Sequence, residues 1–379
     1  MSRNKTILIP LSMLLLLLGQ CKQRYDSPYS PPVTGYLVVE GNIAGNAPTQ
    51  FTLSRVIQLP GDSALPMVTG AKVQVEGTDN SVYPLTETAA GVYTANPLPL
   101  NTTTLYRLRI ATTDGETYLS DSVPYKVTPA IDSINWIETS DGVTIYANTH
   151  DPANNTRYYQ WSFAETWEYD AAEYSSLEFR PHGGSFGQDT STPRADSEYV
   201  FTCYSNDNST SLLLGTSTKL AQDVIYEQKL QFIPSGSVQI SVHYSILVTQ
   251  YALTKDAYNF LSLMKANSES LGSIFDPQPS QLTGNIHSLT NPGEQVIGYI
   301  SASAVQQQRI FISRYQLTNW PYFFSCGRPD TIVDPGNKLF KGAYTPLNPV
   351  MGGVSANGNY CVDCRSEGGT TKKPAFWPY

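Results

Sequence analysis

The side chains most able to do covalent or metal chemistry are few and widely spaced. Cys203, Cys326, Cys361 and Cys364 form one set, with the last two in a C-x-x-C spacing. That spacing can serve zinc or redox chemistry, yet zinc requires two further ligands and no paired Cys or His motif accompanies it. A redox pair of the thioredoxin type opens a helix, whereas Arg365-Ser366-Glu367-Gly368-Gly369 follows Cys364. Structural disulfides fit these four cysteines better, with three connectivities open. Gly183-Gly184-Ser185-Phe186-Gly187, preceded by His182, has the G-x-S-x-G form of a hydrolase nucleophile. Such a serine must sit on a tight strand-to-helix turn. Gln188-Asp189-Thr190-Ser191-Thr192-Pro193 cannot start that helix, so serine hydrolysis is the most distant reading and a Gly/Ser loop the plain one. His150, His182, His243 and His287 lie far apart, without metal-ligand spacing. Asp330 and Asp334 lack the pattern of a calcium loop. Asp170 and Glu173 read as solvated carboxylates. No catalytic residue, metal or cofactor is expected.

Cys21 belongs to a different setting. Arg3 and Lys5 precede an apolar run from Ile7 to Leu18, and Gly19-Gln20 leads into the cysteine. This is the layout of a secretory signal, with an apolar core too short for a bilayer, which takes about 20 residues. A cysteine at that junction looks like the lipobox of bacterial lipoproteins, whose thiol carries a diacylglycerol. Leu18 and Gly19 suit the pattern; Gln20 stands where Gly, Ala or Ser is usual. Residues 1–20 are therefore expected to be a signal peptide and Cys21 the lipidated residue, against the plainer alternative of a soluble secreted chain. No later segment is long and apolar enough to span a membrane, so lipid would be the sole anchor. Residues 21–34, polar and rich in proline, read as an extended tether.

Loss of residues 1–20 takes the net charge from −8 to −10, since only Arg3 and Lys5 are removed. An acidic chain without a Lys/Arg cluster argues against nucleic acid as a partner. Charged residues make up 15% of the chain against 25 tyrosines, so hydroxyl side chains carry much of the surface polarity. The length permits two or three domains with their own cores.

From Tyr36 the sequence runs in short alternating segments between turn signals. Tyr36-Leu37-Val38-Val39-Glu40, Gln50-Phe51-Thr52-Leu53, Ala71-Lys72-Val73-Gln74-Val75, Gly91-Val92-Tyr93 and Tyr106-Arg107-Leu108-Arg109-Ile110 read as strands. Turns at Gly77-Thr78-Asp79-Asn80 and Thr113-Asp114-Gly115 complete an immunoglobulin-like β-sandwich over residues 35–128. A larger all-β domain is expected over 129–379. Its stripe of Tyr159, Trp161 and Phe163 is core before it is a ligand platform. One amphipathic helix interrupts the pattern: Thr254 caps it, and Ala257, Phe260, Leu261 and Met264 share a face suited to cover the second sheet. After Ile310-Phe311-Ile312 the chain is expected to be irregular and stapled by disulfides. At its end, Phe376, Trp377 and Tyr379 either dock onto the second domain or serve as partner contacts, since such aromatics dominate interfaces.

Several of these segments together resemble the domain-of-unknown-function 4249 family of outer-membrane lipoproteins from Bacteroidota. They are Tyr36-Leu37-Val38-Val39-Glu40-Gly41, Gly70-Ala71-Lys72-Val73, Ile131-Asp132-Ser133-Ile134, Gly272-Ser273-Ile274-Phe275-Asp276, Gly284-Asn285-Ile286 and Gly298-Tyr299. The most specific words are Cys361-Val362-Asp363-Cys364-Arg365, Gly368-Gly369-Thr370 and Lys373-Pro374-Ala375-Phe376-Trp377. The first domain also looks like the transthyretin-like or carboxypeptidase-regulatory sandwiches of exported proteins. The resemblance implies lipid attachment at the outer membrane and an accessory or substrate-capturing role beside a TonB-dependent outer-membrane receptor. A stand-alone adhesin or ligand-binding lipoprotein is the alternative. Lys22, Gln23 and Arg24 occupy the place of the acidic stretch that accompanies surface export in these bacteria. The resemblance therefore assigns the membrane and leaves its face open.

Overall fold

The computed structural model describes residues 35–56, 65–180, 190–269, 283–333 and 343–379. The chain is mainly β, with two large hydrophobic cores and three smaller clusters among the described residues, and a small C-terminal sheet. Strands β1 (Leu37–Ala44), β2 (Thr49–Arg55), β3 (Lys72–Gly77), β4 (Val82–Ala89), β5 (Val92–Ala95), β6 (Leu105–Ala111), β7 (Thr117–Ser120) and β8 (Val123–Lys126) build the first unit. The alternation expected of β3 is present: Val73 and Val75 are buried, Lys72 is exposed and Gln74 half-buried. Phe51, Tyr93, Tyr106 and Tyr118 are fully buried in its core. Each such side chain stabilises by roughly 1.5–3 kcal/mol on leaving water.

Two features of this unit differ from an open sandwich over residues 35–128. Strand β4 pairs with β3 through Val82–Leu85 and with β5 through Thr86–Ala89, so it turns the corner between sheets. The pairing then continues β5–β2–β1 and returns to β6 through two short parallel contacts. Those contacts come from Ala302–Ser303, which lies between β1 and β8. Ile286–Ser288 adds a strand to β7. Ile286, Val296, Ile300 and Ala302, expected in the second domain, thus complete the first core. The physical reason is an otherwise open edge: β1 presents N–H and C=O groups that must be paired. Val39 donates to the Ile297 carbonyl at 2.8 Å and Ile43 to that of Ser301 at 2.9 Å.

The second unit faces a three-stranded sheet against a larger one. Strands β9 (Ile131–Thr139) and β10 (Gly142–His150) pair in sequence, and β10 also pairs with β16 (Val224–Pro234). Opposite them, β11 (Tyr158–Asp170) lies between β17 (His243–Ala252) and, on its other edge, β14 (Thr202–Asn208) and β15 (Leu213–Thr216). Short strands β12 (Leu177–Arg180) and β13 (Thr190–Pro193) form a separate hairpin. Tyr159, Trp161 and Phe163 all point into the core with Ile145, Tyr244 and Ile246. The aromatic stripe is therefore packing. One buried polar cluster in this core is fully matched: Trp161 Nε1 donates to Gln250 Oε1 at 2.8 Å, and the Gln250 amide donates to the Pro129 carbonyl and Thr149 Oγ1.

Helix α1 (Lys255–Glu269) begins where Thr254 Oγ1 accepts the Ala257 N–H at 3.2 Å. Ala257 and Phe260 are buried against the outer face of the second sheet. The chain then adds the two short segments to the first unit, as β18 (Ile286–Ser288) and β19 (Ala302–Ser303), and re-enters the second as β20 (Val305–Ser313), paired with β17. The C-terminal region is more ordered than expected. Strands β21 (Asp330–Ile332), β22 (Tyr344–Val350) and β23 (Gly353–Gly358) form a sheet, followed by a helical turn at Asn359–Val362. Pro346, Pro349 and Gly353 interrupt the alternation that would have announced these strands. Two disulfides, Cys203–Cys364 and Cys326–Cys361, tie this region together.

Candidate functional site

The site with most to offer a ligand lies where the two units meet. Its first wall is β1, the start of β2 and the segment Ile297–Ser301; its second is the outer face of β11, with Tyr251, Gln307 and helix α1. Each wall follows from strand alternation. Tyr159 and Trp161 face the core, so Gln160 and Ser162 must face outward, toward the helix. The helix turns Ala257 and Phe260 to the sheet and leaves Leu261 and Met264 beside the opening. The cleft encloses about 650 Å³, within the range of roughly 300–1,000 Å³ usual for small-ligand sites.

Its floor is bare backbone at Gly41 and Gly298. Both have positive φ, and a Cβ on Gly298 would lie 2.3 Å from the Val39 carbonyl oxygen, so glycine is required there. Tyr299 packs on Phe260 with ring centroids 5.3 Å apart. Burial pushes the Tyr299 and Tyr251 hydroxyls above the usual tyrosine range, partly offset by bonds to Thr254 and Ser162 respectively. Both therefore stay neutral hydrogen-bonding groups. Asn42 and Ser301 bond to each other, and Gln307 donates to Thr249 Oγ1 at 3.0 Å. Gln50 and Gln160 also line the cleft. Sequence reasoning missed the site because its residues are spread from Val38 to Gln307, and the only local signal was Leu261 and Met264 on the helix.

The residues singled out from sequence fall elsewhere. Cys21 and the whole of Gly183–Gly187 with His182 and Ser185 lie outside the described residues, as does Asp334. Cys361 and Cys364 bond to Cys326 and Cys203 and not to each other, so the C-x-x-C is neither a redox pair nor a zinc half-site. His150, His243 and His287 each face a carboxylate, from Asp132, Glu168 and Asp121, at three separate places. The hydrogen bond that its ring donates to Asp132 raises the His150 pKa above the ordinary histidine range. Asp170 departs from the solvated reading: burial pushes its carboxyl up, and Thr202 Oγ1 donates to it at 2.6 Å. Among the described residues no group of His, Cys, Asp and Glu is arranged to hold a metal ion.

The terminal aromatics dock. Trp377 is 4% exposed, set edge-on to Tyr204 and Phe311. Tyr379 stacks on His243 at 4.0 Å, and Phe376 covers the Arg309 guanidinium at 3.7 Å. Trp377 is thereby removed from the set of partner contacts, whereas Phe376 and Tyr379 keep about half their surface open.

A chain of this architecture is a mainly β protein with two large cores, a cleft between them and a disulfide-tied C-terminal sheet. A family profile described as a domain of unknown function, DUF4249, matches residues 22–309. The chain belongs to that family. The C-terminal words from Cys361 to Trp377 lie beyond the matched residues. No curated protein matches the sequence. Among solved structures, the chitinase ChiA74 from Bacillus thuringiensis is similar at 12% identity and a TM-score of 0.14. The match covers 58% of this chain and 30% of the chitinase chain, a likeness too slight to carry an argument.

Proposed function

We propose that the protein is a non-enzymatic lipoprotein of the outer membrane, anchored through Cys21, that captures a ligand for a TonB-dependent β-barrel receptor. The observation that carries this reading is the cleft between the two units, with its glycine floor, aromatic and aliphatic wall and polar side chains free of catalytic geometry. The course of β1 agrees with it. Gly35, the first described residue, is held by Arg55 at the start of β1. The far end of β1 reaches the second unit, where Asn46 bonds the main chain of Val305. Strand β1 thus runs along the cleft from Val38 to Ala44.

Recovery of the protein from membranes in mild detergent, after crosslinking in cells, tests the reading. A large β-barrel protein is expected to accompany it. Recovery of the lipoprotein alone would leave the second reading, a stand-alone adhesin or ligand-binding lipoprotein, which the exposed rings of Phe376 and Tyr379 also suit.

A further inference from the structure

We infer that the cleft binds an uncharged, hydroxyl-rich ligand, a neutral oligosaccharide, held by Gln50 and Gln160 and stacked against Tyr299. The inference rests on the capture reading and names what is captured. Charge is the first argument. Among the described residues lining the cleft, Glu40 is the sole carboxylate and no Lys, Arg or His is present. Acidic sugars, phosphates and acidic peptides need charge-assisted donors, find none here, and meet the repulsion of Glu40.

The second argument is hydrogen-bonding capacity. Asn42, Ser301, Ser162, Tyr251 and Gln307 are engaged within the protein. The side-chain amides of Gln50 and Gln160, one from each wall, have no partner among the described residues. Each amide carries two donors and an acceptor oxygen. Neighbouring hydroxyls of a sugar ring are both donors and acceptors, and so match an amide edge without net charge.

Shape is the third. The C–H face of a pyranose is apolar and lies flat on an aromatic ring. Tyr299 is fixed for such a contact by Phe260 behind it and by the hydrogen bond between its hydroxyl and Thr254. Leu261 and Met264 continue the apolar wall. An extended peptide fits less well. It binds most readily by adding a strand to a free edge, and at the cleft β2 and β11 are paired on both sides, while β1 is paired with β2 and, at Val38 and Ile43–Ala44, with the segment from Ile297 to Ser303.

The test is titration of the mature chain with a panel of neutral oligosaccharides, acidic oligosaccharides and uncharged peptides. At least one neutral oligosaccharide is expected to bind. Gln50→Ala and Gln160→Ala should each weaken it about 5- to 20-fold, the loss of one or two hydrogen bonds. Tyr299→Ala should weaken it further. Gln50 is exposed, so unchanged thermal unfolding of its variant separates binding from folding. Preference for acidic sugars or peptides, or binding indifferent to all three changes, overturns the assignment. If no neutral oligosaccharide binds while the β-barrel still co-purifies, the ligand class fails and the capture reading stands. Specific sugar binding without a β-barrel partner has the opposite meaning.

Discussion

The indole Nε1 of Trp377 donates to Glu168 Oε2 at 2.9 Å, across 209 residues of sequence. The same oxygen lies 2.9 Å from His243 Nδ1, on which Tyr379 stacks. This arrangement closes one end of the second sheet's outer face, and helix α1 covers the other end, beside the cleft. A terminal segment that could have been loose is thereby part of the folded unit.

Trp377→Ala is expected to destabilise the protein by about 3 kcal/mol, through lost burial and the loss of one of the two hydrogen bonds to Glu168. Trp377→Phe should recover the burial and leave a deficit of about 1–2 kcal/mol for the hydrogen bond. Urea unfolding of both variants measures the difference. Equal stability of wild type and Trp377→Ala would show that the tail does not dock.

Gln250 is fully buried and serves three groups, the Trp161 indole, the Pro129 carbonyl and Thr149 Oγ1. Gln250→Ala strands the Trp161 indole and the Pro129 carbonyl and opens a cavity, while Thr149 Oγ1 keeps its bond to the Ala130 carbonyl. The expected cost is about 3 kcal/mol or more, since each unsatisfied buried group costs roughly 1–3 kcal/mol. Thermal unfolding should show the loss, with a smaller one in Thr149→Val.

The disulfides make a connectivity prediction. Peptide mapping without reduction should give Cys203 linked to Cys364 and Cys326 to Cys361. The first pair closes 161 residues and the second 35. In the chain-entropy account the longer loop contributes more, with each bond worth about 2–5 kcal/mol. Removing Cys203–Cys364 should therefore lower the unfolding temperature more than removing Cys326–Cys361.

Glu76 supplies a pH dependence. Burial would raise its carboxyl, but bonds from Arg109, Gln74 and Arg107 outweigh burial and hold it below the ordinary glutamate value of 4.5. A carboxyl depressed by folding contributes stability that is present above its unfolded pKa and is lost as pH falls through the folded one. Glu76→Gln should therefore be less stable than wild type at pH 7, by about 1–3 kcal/mol. The gap should close as pH falls below 4.5, and denaturant midpoints across pH 3–7 read it.

Elements with internal periodicity were legible in the sequence. Val73 and Val75 alternate as a strand must, and Ala257, Phe260, Leu261 and Met264 repeat as a helix must. The aromatic stripe of β11 was legible as core for the same reason. Ala302–Ser303 was not, because two residues cannot show an alternation, yet they join the edges of β1 and β8. The disulfide partners and the contacts of Trp377 are set by tertiary packing alone. The cleft was hidden too: Gln50, Gln160 and Tyr299 acquire a common purpose only after residues 283–304 return to the first unit.

The proposed capture beside a membrane receptor depends first on the proposed anchor. Mass spectrometry of the N-terminal peptide from membrane-extracted protein tests it most directly. The account predicts a chain that begins at Cys21 with a diacylglyceryl group on its sulfur, and release of Cys21→Ser into the soluble fraction. An unmodified Cys21, or a wild-type chain already soluble, would contradict it.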